Sequence, residues 1–490
     1  MATARTAVQG LLGQLNLGAG FTPAIKYGVG FPSTPMIQDV VKGSYSIVSA
    51  YDAGDGVAAV AAVTEQIALE ACEKIKVEYE PLPAIFDPVE SMKDSAPKVH
   101  PPASNIYATK LIKKGDVEKG FRQSYRIFED TFTTQMVEHV PLEPHCSIAS
   151  WDANGRLTIH STLGRITLGR TDMAHTLQLP LNRIRMVATI VGGNFGGKNE
   201  ITQEPALAVL SKKTGRPVKG TFTRVEEFIA TTTRHPIIMH YKTGVSKDGK
   251  ILARKVRLVL DGGAYCSWSE TTMGKAIILS AGPYVIDNLY AEAFVVYTNK
   301  TMTGAMRGFG APQVCFAYEA AIDALAARLQ LDPVELRRIN ALRPGSILPT
   351  GQALTGSAPV REVIDRCRAI PLPPPSAAPP GVRIRRGVGF AVGFKNIAYS
   401  EGFDDAAEAT VTLAQGADGP VAGIHTAAVE FGQGLYTVLT QIVRTELGVE
   451  HVVVHPADTS NGSAGSTSAS RQTMMAGGAV QGACGLVRDE

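Results

Sequence analysis

The 490-residue chain predicts a mixed α/β (α+β) protein, and three observations carry that prediction. Residues 57–87 pass from an apolar run, through a pattern with one apolar helical face, to the alternating KVEYE. The central region holds strand-like runs such as RLTIHST and RKVRLVLDGGAY, followed by a helical stripe in CFAYEAAIDALAARLQ. Beyond a proline-rich stretch, EATVTL and GIHTAAVEF again read as strands and LYTVLTQIVRTEL as a helix.

Taken in order, VAAVAA (57–62) is the first strand of that N-terminal unit. Thr64 and Glu65 open a helix with Ile67, Ala68, Ala71, Cys72 and Ile75 on one face, and KVEYE (76–80) forms a second strand that the following prolines end. In the helix from Cys315, the stripe to be buried is Phe316, Ala320, Ala324 and Leu325. The segment IPLPPPSAAPPGVRIRRG (370–387) is stiff and extended and cannot lie inside a sheet, so it divides the chain. Near the end, DTSNGSAGSTSASRQT (458–473) is either a flexible loop or a ligand-wrapping one rich in hydroxyls and bare N–H groups. No internal repeat is visible.

A formal net charge of +3 gives no basic face and no acidic tail, so bulk charge supports neither nucleic acid nor membrane binding. No segment has the apolar length of a membrane span, the start lacks a signal-peptide pattern, and the expected location is cytoplasmic. The six cysteines lie far apart, with no CxxC pair for zinc or an iron–sulfur cluster, and read as buried free thiols.

The stretch VGGNFGGKNE (191–200) first suggests phosphate, because glycine-rich loops let backbone N–H groups close on an anion. It fails the Walker pattern, since Asn199 stands where a hydroxyl should follow the lysine, and its GGxxGG spacing is not the dinucleotide fingerprint. In isolation a structural glycine turn fits it as well. EHVPLEPHC (138–146) gathers Glu138, His139, Glu143 and His145, but prolines 141 and 144 keep them off a single helical face and there is no HExxH. No G-x-S-x-G elbow supports a serine hydrolase.

The combination is more specific than any one part. GGNFGGK (192–198), TGAMRGFGAPQ (303–313), EFGQG (430–434) and GSTSASRQT (465–473), in that order, resemble the molybdenum-binding large subunit of the xanthine dehydrogenase/aldehyde oxidase family. The similarity runs over residues 45–490. It implies an N-terminal α/β hammerhead-like domain (1–117, with a divergent start), a first molybdopterin-binding domain (118–368), the proline-rich linker (369–382) and the first part of a second molybdopterin-binding domain (383–490).

The same resemblance implies a molybdenum held by the dithiolene of molybdopterin, as the cytosine dinucleotide in bacterial members, with no side-chain ligand. The implied reaction is hydroxylation of an electron-poor carbon with water as oxygen source, electrons leaving through Fe–S and FAD partner subunits. Residue by residue, it places the backbone of Gly193, Asn194, Phe195, Gly196 and Gly197 beside the molybdenum ligands, with Phe195 bracing the turn and Arg307 near the metal. Phe309 and Phe394 would sandwich a flat substrate. Gly432, Gln433 and Gly434, with Thr467, Ser468 and Ser470, match residues that bind the pterin and its phosphates.

Three positions depart from the family pattern. Leu163 replaces a glutamine that bonds the molybdenum oxo ligand, Asn199 stands where purine oxidisers carry a substrate-orienting glutamate (Glu200 is one residue on), and Lys275 falls near a transition-state arginine. The general-base glutamate finds no match, and Glu490 has no such motif around it. The expectation is a split subunit, as in nicotinate dehydrogenases, with a second molybdopterin chain supplying the glutamate. The substrate expected is an N-heterocycle, purine- or nicotinate-like. An aldehyde oxidoreductase subunit, or a cofactor scaffold without complete catalysis, are the alternatives.

Overall fold

In the computed structural model, residues 2–8, 37–40, 46–48, 55–372, 381, 383, 386–399 and 405–489 are described. A seven-stranded sheet runs in the order Ala457–Asp458, Ile184–Ala188, Leu157–Ser161, Cys146–Trp151, Val218–Thr221, Ala2–Val8, Ala58–Ala62. A five-stranded sheet runs Ile106–Lys114, Asn288–Tyr297, Ile251–Gly263, Ile237–Val245, Arg126–Thr133, and a three-stranded one Ala409–Gly416, Gly419–Thr426, His451–Val454. The mixed α/β class expected from the sequence is what forms.

Three parallel strand pairs, each joined by a helix, position the site. Leu157–Ser161 and Ile184–Ala188 are linked by helix Ile166–Leu177. Ile251–Gly263 and Asn288–Tyr297 are linked by Ser269–Leu279. Gly419–Thr426 and His451–Val454 are linked by Leu435–Leu447. Parallel neighbours require such a crossover, and loops leaving the carboxyl ends of parallel strands are where open α/β sheets bind ligands. Here those loops are 162–165 and 189–200, 264–268 and 298–310, and 427–434 and 455–471. The sequence shows no repeat because the three units share topology and not residues.

Two cores hold these units. One joins Leu157, Ile159, Met186 and Leu207 to Ile424, Leu439, Val443 and Val480, so segments on both sides of the proline-rich stretch share it. The other lies within residues 237–336, around Met239, Leu258, Ile277, Val295, Tyr318 and Leu325. Arg185 clamps the carboxylate of Asp458 through both Nε and Nη2, fastening the short strand Ala457–Asp458 to the edge of the first sheet.

Two local expectations need correction. KVEYE forms no strand: its alternation is present, but Tyr79 is 73% exposed and no described strand pairs with residues 76–80, and an unpaired strand is not stable in water. In helix Ala311–Leu329 the buried face is Val314, Ala317, Tyr318, Ala321, Ile322 and Leu325, whereas Phe316 is exposed and meets Phe132 edge-on at 6.1 Å between centroids. So many alanines leave little contrast between faces, and contact with the sheet decides. The loop at 458–473 forms as expected and runs into helix Gln472–Asp489, which the glycine-rich sequence there does not announce.

Candidate cofactor and substrate site

The glycine loop leaves strand Ile184–Ala188 and is wound around Asn194. Buried at 2% exposure, Asn194 accepts from Gly196 N (2.8 Å) and Lys198 N (3.3 Å) through Oδ1, an Asx-type turn. The glycines are required by other loops pressing in. A Cβ on Gly196 (φ +109°) would lie 2.4 Å from the Ala305 carbonyl oxygen, and one on Gly197 would meet the His139 ring at 2.9 Å. Gly193 (φ +93°) has Phe195 and Pro141 as its neighbours.

Lys198, which first suggested phosphate, is fully buried and pairs with Glu143 at 3.0 Å. Burial pulls its ammonium below the usual lysine range against the opposing pull of Glu143. Glu143 also accepts from Gly192 N at 2.7 Å. The two histidines of EHVPLEPHC serve the same hub: His139 Nε2 meets the Ala305 carbonyl at 2.7 Å, and His145 Nε2 meets the Gly197 carbonyl at 3.2 Å. Glu227 grips His145 through Nδ1 at 2.8 Å; burial raises its pKa, but bonds from His145 outweigh this and hold it below the ordinary range. Among the described residues no cluster of three or more His, Cys, Asp or Glu is arranged to hold a metal.

The four motif loops meet. Arg307 N donates to Phe195 O (2.8 Å), and Val191 N to Glu430 O (2.9 Å). Gly164 bridges two of them, donating to Lys198 O (2.7 Å) and accepting from Thr467 N (3.3 Å), while Val429 N donates to Thr467 Oγ1 (3.0 Å). All these residues belong to the carboxyl-end loops of the three parallel units. Four non-glycine residues there hold left-handed backbone, Phe195 (φ 53°), Phe309 (54°), Ala469 (54°) and Ser470 (55°), and such residues persist only where surroundings over-determine them.

The individual site residues fall as follows. Arg307 is exposed, with its carbonyl bonded by Arg234 at 2.8 Å, and Phe195 is 46% exposed beside it. Phe309 meets Trp268 edge-on at 6.4 Å. Phe394 packs on the second core, on the segment where Val392 N donates to Glu319 at 2.7 Å and Gly393 lies beside Cys315. Lys275 is buried in helix Ser269–Leu279, and together with burial it pulls the ammonium of Lys395 below its usual range. The Phe394 segment and the Lys275 helix both pack on the second core.

In the EFGQG loop, Gln433 is bonded within the loop itself, accepting from Phe431 N (2.7 Å) and donating to Val429 O (3.0 Å). Gly432 (φ +92°) and Gly434 (φ +83°) have nothing within 4 Å of a built Cβ, a bare backbone facing open space. Their N–H groups, with that of Tyr436, fall on the buried carboxylate of Glu430 at 2.7, 3.1 and 2.9 Å. Ser468 Oγ lies 3.4 Å from Tyr399 Oη, Ala398 N donates to Ala469 O (2.8 Å), and Ser470 is exposed. These bonds tie the Phe394 segment to the hydroxyl-rich loop. Leu163 is 1% exposed and turns into the first core against Gly169, so it offers nothing polar to the site.

Sequence reasoning passed over several residues that hold this site. Glu430 lies inside EFGQG, five positions before helix Leu435–Leu447 begins, where a carboxylate meets free N–H groups. Arg471 holds the Ser-rich loop through Ala464 O (2.7 Å), Ser466 O (2.9 Å) and the Asp405 carboxylate. Arg165 and Trp268 carried no motif signal. Glu200 is not a free substitute for the missing substrate glutamate: 1% exposed, it accepts from Arg165 (2.9 Å) and Ser267 Oγ (2.6 Å).

The molybdopterin cofactor-binding domain family matches residues 99–341 and, with its second domain, residues 374–490. The chain is 36% identical to the nicotinate dehydrogenase large molybdopterin subunit of Eubacterium barkeri over 64% of its own length and 74% of that protein. It is 33% identical to a probable xanthine dehydrogenase subunit from Bacillus subtilis, covering 93% of this chain but 60% of the relative. Two solved aldehyde oxidoreductases align along nearly the whole chain: that of Desulfovibrio gigas (TM-score 0.78, 27% identity, 99% of this chain, 56% of that one) and that of Desulfovibrio desulfuricans (0.82, 25%, 100% and 57%). This chain thus spans little more than half of several relatives. With the four quoted motifs on one set of loops, molybdopterin cofactor-binding domains matched over residues 99–341 and 374–490, and a relative 36% identical over 74% of its length, the chain belongs to the molybdenum-binding subunit family of xanthine dehydrogenase and nicotinate dehydrogenase.

Proposed function

We propose that the chain binds molybdenum–molybdopterin, in the cytosine dinucleotide form, as part of a cytoplasmic hydroxylase that oxidises an N-heterocycle and passes electrons to Fe–S and FAD partners. The observation supporting it is the single hydrogen-bonded hub in which loops 189–200, 303–313, 427–434 and 465–471 converge. Bound there, the cofactor supplies a redox centre able to oxidise an electron-poor carbon with oxygen from water. The open backbone at Gly432 and Gly434 and the hydroxyls of Ser468 and Ser470 fit its pterin and phosphates, small donors around bare main chain. The N–H groups of Gly432 and Gly434 already fall on the Glu430 carboxylate, so what this turn offers the cofactor is bare main chain that admits close approach.

The chain's own residues perform positioning. Gly193 to Gly197 give a rigid strip of main chain next to Arg307, Phe309 and Phe394 offer flat apolar surface to an aromatic ring, and Asn199 and Lys275 are the polar groups that select among substrates. Asparagine in place of a glutamate removes a charge while keeping hydrogen bonding, which favours substrates other than xanthine. The proposed domain division remains 1–117, 118–368 and 383–490, with the general-base glutamate delivered by a second molybdopterin chain.

One experiment tests the whole reading. The chain is purified with whatever accompanies it, and molybdenum, released CMP and iron are measured against polypeptide content. Molybdenum and CMP with a second large polypeptide are expected; both without that polypeptide overturn the split-subunit proposal, and the absence of both overturns the cofactor assignment. The buried Leu163 favours a second reading, a cofactor scaffold of little activity. A loaded complex that turns over no heterocycle or aldehyde would select it, and turnover of aldehydes alone would select an aldehyde oxidoreductase.

A further inference from the structure

We propose that Arg165 is the positioning residue of the substrate side, holding the Asn199 peptide and, through Trp268, the ring of Phe309 in one fixed arrangement. The proposal rests on the reading of Asn199 and Phe309 given above. Arg165 sits at the carboxyl end of strand Leu157–Ser161, immediately before helix Ile166–Leu177, and is 2% exposed. Its Nε donates to the Asn199 carbonyl, and its Nη2 donates to Asp172 and Glu200 at 2.9 Å each. The guanidinium carbon lies over the indole of Trp268, 5.4 Å from the ring centroid, and Trp268 in turn meets Phe309 edge-on.

One planar cation therefore touches the second loop of its own parallel unit, at Asn199, and a loop of the next unit, at Trp268. Ser267, next to Trp268, closes the circuit by donating to Glu200 at 2.6 Å. Lysine has the charge but neither the fork nor the flat face, so it cannot hold the peptide and the indole together. Two buried carboxylates share this one arginine. Burial, only partly offset by Arg165 and reinforced by Glu200, raises Asp172 to about 6. Of the other charged groups on these elements, Arg170 bonds Thr459 O, Arg185 pairs with Asp458 and Glu204 with Ser147 and Ser161, while His175 stands one turn beyond Asp172 on the same helix. Protonating Asp172 thus acts on the arrangement through Arg165.

The test uses the fact that the chain has two tryptophans. Trp151 lies away from the site, donating to Ala208 O, and in a W151F background emission reports Trp268 alone. Emission is expected to change as pH passes through about 6, to lose that step in D172N, and to shift to the red in R165K. Emission in R165K that matches the parent at every pH, or a step that survives in D172N, overturns the proposal. Circular dichroism establishes that the variants fold; D172N, which keeps the side-chain shape, carries the test if R165K does not. The optical readout needs neither cofactor nor substrate, so a failure of the functional reading leaves it standing. In the loaded complex R165K is expected to raise KM several-fold with kcat nearly held, and an unchanged KM overturns the link to substrate.

Discussion

Substituting Gly196 by alanine separates the demands of the hub from the general strain of a left-handed turn. At φ +109° the new residue carries a backbone penalty, and its Cβ would sit 2.4 Å from the Ala305 oxygen and 2.8 Å from the Ala305 carbonyl carbon. The neighbour is main chain, so it cannot swing away. The backbone penalty is about 1–2 kcal/mol, and forcing atoms into a packed site costs about 1–3 kcal/mol more. The sum is about 2–5 kcal/mol. For a unit of this size that corresponds to a fall in melting temperature of roughly 5–15 °C.

Gly432→Ala is the matched control. Its φ of +92° carries a similar backbone penalty, but nothing lies within 4 Å of the added methyl, so a loss of about 1–2 kcal/mol is expected. Thermal melts of the two variants, with molybdenum content measured in each, decide the matter. G196A should melt well below G432A and lose bound molybdenum, because relieving the clash pulls Phe195 O away from Arg307 N. Equal melting temperatures would refute the claim that the loop's glycines are there to let neighbouring loops approach.

Other outcomes follow from the buried charges. Glu143→Ala leaves the fully buried Lys198 ammonium without its partner and should cost about 3 kcal/mol in a denaturant melt, whereas Lys198→Met, which removes the charge itself, should cost far less. For Asp458, burial raises the pKa but Arg185 and Ser460 outweigh it, so the folded value lies below the unfolded one. Its stabilisation is therefore present above about pH 4 and is lost as pH falls further; given the half-exposed arginine, D458N should cost only about 1 kcal/mol at pH 7, and an undiminished acid-side loss in D458N would count against the clamp. His235 is buried, and desolvation with Arg234 lowers it to about 3, so its neutral form is the folded one and stability falls as pH drops below its unfolded value near 6.5. At pH 5 that amounts to about 2 kcal/mol, and H235Q should flatten that limb of a stability–pH curve measured by urea melts.

Much of the site was legible because the motifs are the turns themselves. Glycines at 196, 197, 432 and 434 and the run from Gly465 mark where the main chain reverses or is approached closely, and that information is local. The helix Leu435–Leu447 was equally legible, since Leu435, Leu439 and Val443 repeat at i, i+4 and i+8. What the sequence withheld is long-range. The alanine-rich helix at 311–329 has no contrast from which to choose its buried face, and KVEYE has the pattern of a strand without the neighbour that makes one. His139 and His145 sit close together with Glu138 and Glu143 in a stretch whose prolines rule against a metal site there, and the sequence gives them no other role. Only folding brings them under the carbonyls of Ala305 and Gly197, residues far along the chain, and turns them into props.

Strain and motif coincide because contacts between loops enforce both. Phe195, Phe309, Ala469 and Ser470 come from all three parallel units, and each holds a conformation that costs an L-residue about 1–2 kcal/mol. No one loop has contacts enough to enforce that alone. Phe195 is held because its carbonyl meets Arg307 N, Arg307 because its own carbonyl meets Arg234, and Ala469 because its carbonyl meets Ala398 N. Phe195 and Ala469 are thus stabilised by bonds to other segments, so those segments must be ordered together. A cofactor entering such a hub finds its donors already placed, and little of its binding free energy is lost to ordering them. A chain that loses one inter-loop bond should accordingly lose cofactor at several motifs together, even when the altered residue touches none of it.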